Sequence, residues 1–244
     1  MSLESVARTA VGRTRDHNED SVCTESLDHG TLLAVADGMG GHAAGDVASE
    51  TALEALENAV QNASGTQPEE TLGVGIGRAN EAVRNAAAED AGREGMGTTL
   101  VCALVVDGTA VIGNVGDSRA YEITDESIEQ ITVDQSLVRE LVEQGTIDED
   151  EMDDHPQRHV LSQSLGNDEE VNPDFYERDI DGTLLLCSDG LSEEVQSETI
   201  HEIITDAPSL STAATELIDK ANENGGSDNV SVILSHSKTD RDND

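Results

Sequence analysis

The chain has 244 residues, which is enough for one domain that buries a core without disulfides or structural metals. Its 52 acidic residues against 13 Lys and Arg give a formal net charge of −39, which argues against nucleic acid as a partner. No apolar stretch approaches the roughly 20 residues that a membrane span needs, and no leader pattern opens the chain, so we expect a soluble, cytoplasmic protein without a membrane partner.

The acidic residues are spread over the whole sequence, and Lys220 and Lys238 are the only lysines. We interpret this as a halophilic surface, because near-molar salt shortens the screening length to about 3 Å and weakens self-repulsion. Cys23, Cys102 and Cys187 form no CxxC pair, two of them lie within apolar runs, and all three are predicted to be buried thiols in a reducing compartment.

In chain order, apolar runs predict strands and 3.6-residue periodicity predicts helices. The first half gives strands at 6–13, 21–25 and 31–36, helices at 45–63 and 69–89, and an antiparallel meander over 98–131. The second half gives a helix at 136–144, strands at 171–180 and 183–188, helices at 192–204 and 210–224, and a strand at 230–234. We call the polar, irregular residues 145–166 the flap segment. The pattern predicts a single α+β domain over 1–236, with helices packed on sheets and a polar tail at 237–244.

Four Asp-Gly pairs divide into two groups. Asp107-Gly108 and Asp181-Gly182 have strand-like residues on both sides and predict tight hairpins. Asp37-Gly38 and Asp189-Gly190 also end apolar runs, but a Gly-rich loop follows the first and a helix start follows the second. An Asp at the end of a buried strand projects its carboxylate from a rigid support, and the adjacent Gly lets a cation approach the backbone carbonyl. The second group therefore predicts a metal site.

Six short motifs occur in order: RDHNEDS at 15–21, VADGMGGHAAG at 35–45, MGTTL at 96–100, GDSR at 116–119, SDGL at 188–191 and SDNVSV at 227–232. Together they resemble the protein phosphatase 2C-type, metal-dependent serine/threonine phosphatases in their short bacterial and archaeal form, and the flap segment resembles that family as well. The resemblance implies a central antiparallel β-sandwich with helices on both faces, in four αββα layers. It also implies hydrolysis of phosphoserine and phosphothreonine in phosphorylated proteins, which a serine/threonine kinase would supply, by a cytoplasmic signalling enzyme.

The resemblance also assigns ligands for two cations. Asp37 would bridge both ions, Gly38 would offer its carbonyl oxygen, and Asp189 and Asp228 would complete the shell of one ion. All-oxygen donors of this kind select Mg²⁺ or Mn²⁺ over zinc. Two such ions about 4 Å apart lower the pKa of a bridging water, so that a hydroxide attacks the phosphoester directly and no phosphoenzyme forms.

Three further acidic residues complete the set of expected ligands. Glu19 and Asp20 would act largely through bound water, and Asp117, with help from Asp189, would hold a possible third, weaker ion. A monomer is the simplest expectation for the assembly.

Two basic residues have expected roles in catalysis. Arg15 is predicted to clamp the phosphate, because a planar guanidinium binds two phosphate oxygens at once. His42 is a candidate proton donor to the leaving alkoxide, although it could instead hold its own turn while a metal-bound water supplies the proton.

The sequence departs from the family pattern at three places. Met39 stands where animal members have His, Gln135 where many bacterial relatives have His, and Glu193 where an Asp is common. Two other classes of protein therefore stay open. One is a non-catalytic phosphoprotein-binding or regulatory member of the same fold, and the other is a plain calcium- or magnesium-binding acidic protein.

Overall fold

The computed structural model describes residues 2–40, 44–63, 67–152 and 154–238. Its longer strands are β1 (Ser2–Ala10), β2 (Asp20–Leu27), β3 (Gly30–Met39), β5 (Leu100–Val106), β6 (Thr109–Val115), β7 (Arg119–Ile123), β9 (Asp174–Asp179), β10 (Thr183–Cys187) and β11 (Val230–Lys238). Two short strands are β4 (Gly97–Thr98) and β8 (Ile128–Gln130). The helices are α1 (Gly45–Gln61), α2 (Pro68–Glu89), α3 (Leu137–Glu143), α4 (Asp189–Ser192), α5 (Ser197–Asp206) and α6 (Leu210–Asn224).

The strands form two antiparallel sheets. One has the order β1-β11-β10-β7-β8 and the other the order β2-β3-β5-β6-β9, with β4 added beside β3. The first sheet pairs β1 with β11, from the two ends of the described chain, and the second contains both β2 and β9. Residues distant in sequence, such as the start of β2 and the end of β10, can therefore lie close together.

Three clusters of buried residues define the layers. Side chains alternate between faces along a strand, so Leu32 packs with α1 and α2 while its neighbour Leu33 packs between the sheets. On the other sheet Leu185 packs with α5 and α6, and Leu184 packs in the core between the two sheets. The predicted four-layer αββα arrangement of a β-sandwich between helices is confirmed.

The two predicted hairpins have different outcomes. Asp107-Gly108 joins paired strands β5 and β6, and both residues have positive φ, 51° and 93°, as a tight two-residue turn requires. The prediction for Asp181-Gly182 is wrong, since β9 pairs with β6 in one sheet and β10 pairs with β7 and β11 in the other. This pair carries the chain from sheet to sheet, a difference that local turn residues do not encode.

Two element predictions also need correction. The predicted meander over 98–131 is divided, because β5 and β6 belong to one sheet while β7 and β8 belong to the other. The helix predicted at 192–204 is broken, because Gln196 has an extended backbone with ψ of 149° between α4 and α5. The last strand continues to Lys238, beyond the predicted end at 234, because it pairs with β1 along its length.

The predictions about the cysteines and about membrane spans can also be compared with the described residues. The three cysteines are free, and Cys102 and Cys187 are buried as predicted, but Cys23 is partly exposed, so the prediction of a buried thiol is wrong there. Among the described residues, no helix has both the length and the apolar character needed to cross a membrane.

Candidate metal centre

Asp20 and Asp37 lie directly opposite each other on the neighbouring strands β2 and β3. The backbone of Asp37 is fixed by the MGTTL motif, because Thr99 Oγ1 accepts from its N–H at 3.0 Å and its carbonyl accepts from Thr98 Oγ1 at 2.8 Å. Asp20 is only 6% exposed, and its Oδ2 accepts a hydrogen bond from Ser188 Oγ at 2.8 Å. Two adjacent strands therefore hold two carboxylates at fixed separation beside the end of β10.

The other three predicted aspartates come from separate loops. Asp117 lies between β6 and β7, Asp189 begins α4 directly after β10, and Asp228 lies just before β11. Asp37 and Asp189 are within hydrogen-bonding distance, and the charges of Asp20 and Asp117 also act on Asp37. The charge of Asp228 acts on both Asp20 and Asp189. The fold thus brings together five aspartates that the sequence spreads from position 20 to position 228.

Burial and mutual repulsion raise the pKa values of four of these carboxyl groups. Desolvation is the largest cause at each position. It raises the pKa of Asp20 to about 7, with the charges of Asp189 and Asp228 adding to the effect. Desolvation and Asp189 raise the pKa of Asp117 to about 8. Desolvation and Glu193 raise the pKa of Asp189 to about 6, and the pKa of Asp37 is raised well above its usual value.

The donor set of this cluster fits hard divalent cations. Asp20 Oδ1 and Asp189 Oδ1 are buried oxygens that accept no hydrogen bond from the described residues. A buried carboxylate oxygen without a partner costs free energy, which a bound cation would offset. Since the cluster offers oxygens alone, it suits Mg²⁺ or Mn²⁺ better than a softer ion.

Glu19 and the Gly38 carbonyl flank the same position at the start of α1. A side chain at Gly45 would begin 2.7 Å from the Glu19 carboxyl carbon and 2.9 Å from the Gly38 oxygen. Ser49 Oγ donates to the Glu19 carbonyl at 2.6 Å, which fixes the backbone beside it. Gly45 therefore has to lack a side chain so that these two predicted oxygen donors can approach. This role was not predicted from the sequence, although Gly45 is the last residue of the VADGMGGHAAG motif.

Asn229 is another positioning residue that the sequence analysis missed. Its Oδ1 accepts from the Glu19 N–H at 2.8 Å, and its Nδ2 donates to the carbonyls of Val11 and His17, both at 2.9 Å. One side chain thus links the loop that carries Arg15 and Glu19 to the segment that presents Asp228. Its place beside an aspartate in SDNVSV was the available signal.

Arg15 lies at this site but is paired with a predicted ligand. Its Nη2 contacts Asp228 Oδ2 at 2.5 Å, and its side chain is 48% exposed. One carboxylate uses only part of the guanidinium, which has five N–H donors. The other predicted basic residue, His42, lies outside the described residues.

One trio of potential ligands lies closer together than the predicted set. Within the described ranges, a single group of three His, Cys, Asp or Glu side chains has ligand atoms all within 4.8 Å of one another, namely His159, Asp189 and Glu193. The predicted trio of Asp37, Asp189 and Asp228 is not that group. Asp228 is held by Arg15 and accepts at Oδ1 from the Asn229 N–H at 2.7 Å, so its side chain would have to turn to join the other two.

A cleft of about 500 Å³ opens beside the aspartates. Its lining includes Asp117, Arg119, Asp134 and Asp189, together with Met152 and Arg158 of the flap segment. Arg119 and Asp134 form a two-pronged ion pair, with Nη2 to Oδ2 at 2.6 Å and Nε to Oδ1 at 2.9 Å. Hollows elsewhere, such as one of about 870 Å³ near Asp107 and Asp181, contain none of the predicted ligands.

This architecture and cluster define a class of protein. The sequence profile of the Protein phosphatase 2C family matches residues 10–234. The chain therefore belongs to the protein phosphatase 2C family.

Individual relatives agree with that assignment. The serine/threonine phosphatase stp of Listeria monocytogenes is 40% identical over 234 residues, which are 93% of this chain and 93% of that protein. The serine/threonine protein phosphatase PstP of Mycobacterium tuberculosis is 38% identical over 235 residues, 96% of this chain but 45% of that protein.

Solved structures share the fold closely. Serine/threonine phosphatase Stp1 from Staphylococcus aureus superposes with a TM-score of 0.91 at 37% identity, covering 98% of this chain and 96% of that one. The catalytic domain of PstP, solved in complex with two manganese ions, gives a TM-score of 0.83 at 36% identity, covering 96% and 97%.

Proposed function

We propose that this chain is a metal-dependent protein phosphatase that hydrolyses phosphoserine and phosphothreonine. The observation that carries the proposal is the convergence of Asp20, Asp37, Asp117, Asp189 and Asp228 from both sheets into one cluster. The relatives named as serine/threonine phosphatases span nearly all of the chain, which supports the same conclusion.

Each aspartate has a proposed role. Asp37 would hold two cations, Mn²⁺ or Mg²⁺, together with the Gly38 carbonyl, Asp189 and Asp228, while Glu19 and Asp20 act through water. Asp117 with Asp189 would hold a possible third ion. When bound, the cations would supply Lewis acidity at the phosphoryl oxygens and a water nucleophile of lowered pKa, without a phosphoenzyme.

The protein's own residues would bind and orient the substrate. A net charge of −39 repels a phosphoester dianion, so positive charge has to be concentrated at the site. Arg15 is half-exposed beside Asp228 and can offer its remaining N–H groups to two phosphate oxygens. For proton delivery to the leaving alkoxide, His42 and a bound water stay the two candidates.

The decisive experiment compares Asp37→Asn with Asp28→Asn. The control removes the same charge from an exposed residue in the turn between β2 and β3. Hydrolysis of p-nitrophenyl phosphate and of a phosphothreonine peptide should require Mn²⁺ or Mg²⁺, should be abolished by Asp37→Asn, and should be unchanged in the control. Near-wild-type rates in Asp37→Asn would contradict the site assignment.

The same assay tests the regulatory alternative. A phosphoprotein-binding protein without catalysis would retain the phosphopeptide in a binding assay and release no phosphate with either metal. The presence of every predicted carboxylate favours turnover over that alternative.

Several finer features belong to this proposal. We expect phosphorylated proteins, including substrates of a serine/threonine kinase, as targets of a monomeric, cytoplasmic signalling enzyme. We also propose a halophilic surface, since 52 acidic residues repel one another most at low ionic strength. Unfolding by urea at several KCl concentrations tests this, and equal stability with and without KCl would contradict it.

A further inference from the structure

The flap segment meets α4 through a histidine and a carboxylate. His159 Nδ1 lies 3.1 Å from Glu193 Oε1, and both side chains are about half-exposed at 50% and 40%. Asp189 adds a third ligand atom, and the three atoms lie within 4.8 Å of one another. His159 comes from the flap segment, whereas Asp189 and Glu193 lie at the start of α4 and just after its end.

The separation of these atoms suits a small divalent cation. In a tetrahedral site with bonds of about 2.0–2.1 Å, two ligand atoms lie about 3.3 Å apart. The His159–Glu193 pair is already near that spacing, at 3.1 Å. The third atom lies within 4.8 Å of the other two, so it needs a shift of at most about 1.5 Å, which side-chain rotation can supply at the half-exposed residues. Three protein ligands and one water make a common tetrahedral arrangement.

Independent support comes from Asp189 itself. Its Oδ1 is buried and accepts no hydrogen bond from the described residues, so this side chain has unused capacity to bind a cation. The negative charges of Glu193 and Asp228 act on the same carboxylate, and His159 is close enough to oppose them. An isolated surface His–Glu pair would have neither feature.

We propose that His159, Asp189 and Glu193 form an additional binding site, adjoining the all-oxygen cluster, for a transition-metal dication of the Zn²⁺ type. The imidazole nitrogen distinguishes this site from the all-oxygen cluster, because nitrogen donors favour Zn²⁺ and similar ions over Mg²⁺. A bound ion would tie the flap segment to α4. Asp189 also belongs to the proposed catalytic cluster. An ion bound here would therefore share a ligand with that cluster, a consequence that rests on the proposed function.

The test is a calorimetric titration with Zn²⁺ in excess Mg²⁺, which occupies the all-oxygen sites. Wild-type protein should show a Zn²⁺ site whose affinity falls by more than about tenfold in His159→Asn and in Glu193→Gln, because even outer partners of metal ligands produce losses of that size. His155→Asn is the matched control, since it removes another histidine of the flap segment that lies outside the trio. In protein labelled with ¹⁵N-histidine, Zn²⁺ should shift the NMR signal of a His159 ring nitrogen. That signal is assigned to His159 because it is missing from the spectrum of His159→Asn.

Equal Zn²⁺ affinity in wild type, His159→Asn and Glu193→Gln would show an exposed ion pair only and would overturn the proposal. An equal loss in His155→Asn would do the same, because it would place the effect outside the trio. The titration is repeated in Asp37→Asn, where the proposed catalytic centre is removed and His159-dependent binding should persist. Absence of phosphatase activity would therefore leave this proposal standing, and absence of the Zn²⁺ site would leave the phosphatase proposal standing.

Discussion

Replacing Asp20 by Asn should stabilise the cation-free protein at neutral pH and flatten the dependence of its stability on pH. Asp20 is 6% exposed, and burial with neighbouring carboxylates raises its pKa from 3.8 to about 7. The folded state therefore holds a proton on Asp20 over a pH range in which the unfolded chain has released it. Stability from this group is present below about pH 4 and is lost as the pH rises towards 7.

The size of the effect follows from the shift. Each pKa unit corresponds to 1.36 kcal/mol, so the interval from 3.8 to about 7 amounts to roughly 4 kcal/mol. Between pH 5 and pH 8 the wild type loses only the part of this stabilisation that lies between pH 5 and about pH 7, roughly 3 kcal/mol. Asn removes the charge, and its amide oxygen can still accept the hydrogen bond from Ser188.

The measurement is urea unfolding with EDTA at pH 5, 6, 7 and 8 and constant KCl, followed by far-UV circular dichroism. The free energy of unfolding should fall by about 3 kcal/mol more in wild type than in Asp20→Asn over this range. Asp28→Asn should follow the wild-type curve, because it changes the net charge equally at an exposed position. Adding Mn²⁺ at pH 8 should raise the free energy of unfolding of the wild type. The gain should be about 2.7 kcal/mol when the free Mn²⁺ concentration is 100 times its dissociation constant.

Parallel curves for wild type and Asp20→Asn would refute this reasoning. They would mean that Asp20 titrates alike in the folded and unfolded chains, and so that burial beside Asp37 and Asp189 carries no electrostatic penalty.

Three further substitutions test the supporting structure. Asn229→Ala removes three hydrogen bonds and should lower the free energy of unfolding by about 2–4 kcal/mol in urea titrations. A change below about 0.5 kcal/mol, as is typical of surface substitutions, would contradict its anchoring role. Arg119→Met leaves Asp134 without its partner, and because that side chain is only 12% exposed, the free energy of unfolding should fall by about 3 kcal/mol. Arg78 forms an exposed pair with Glu81, so Arg78→Met should change the free energy of unfolding by less than about 1 kcal/mol. Arg15→Lys should raise KM for a phosphopeptide about tenfold with little change in stability, because it loses two-pronged phosphate binding; an unchanged KM would remove Arg15 from the substrate site.

The sequence was sufficient for the layers and for most of the acidic cluster. Periodicity placed α1, α2 and α6 within about two residues of their ends, and α6 matches at both. Asp37 and Asp189 could be found from their local context, because each follows a buried apolar run and precedes a glycine. The other three aspartates were assigned through the ordered motifs that resemble the family. A buried strand followed by Asp-Gly and then a glycine loop or helix is a local signal, which sequence analysis can detect.

The errors arose where the information is not local. Asp181-Gly182 and Asp107-Gly108 have the same turn residues, but only the second joins two strands of one sheet. Gly45 and Asn229 act through contacts with Glu19, and these contacts exist only once β2, α1 and the segment before β11 are assembled. The approach of His159 to Glu193 likewise depends on how the flap segment lies against α4, to which no period or motif refers.

The ladder between β2 and β3 sets a limit on insertions and deletions near the site. Asp20 faces Asp37 while Leu27 faces Gly30, so every cross-strand partner in between is fixed by the number of residues in each strand. An extra residue at Asp28 or His29 enlarges the turn and leaves this register intact. One extra residue inside β3 would shift Asp37 by one place and turn its carboxylate to the opposite face of the sheet. Length variation in this hairpin should therefore be confined to its tip.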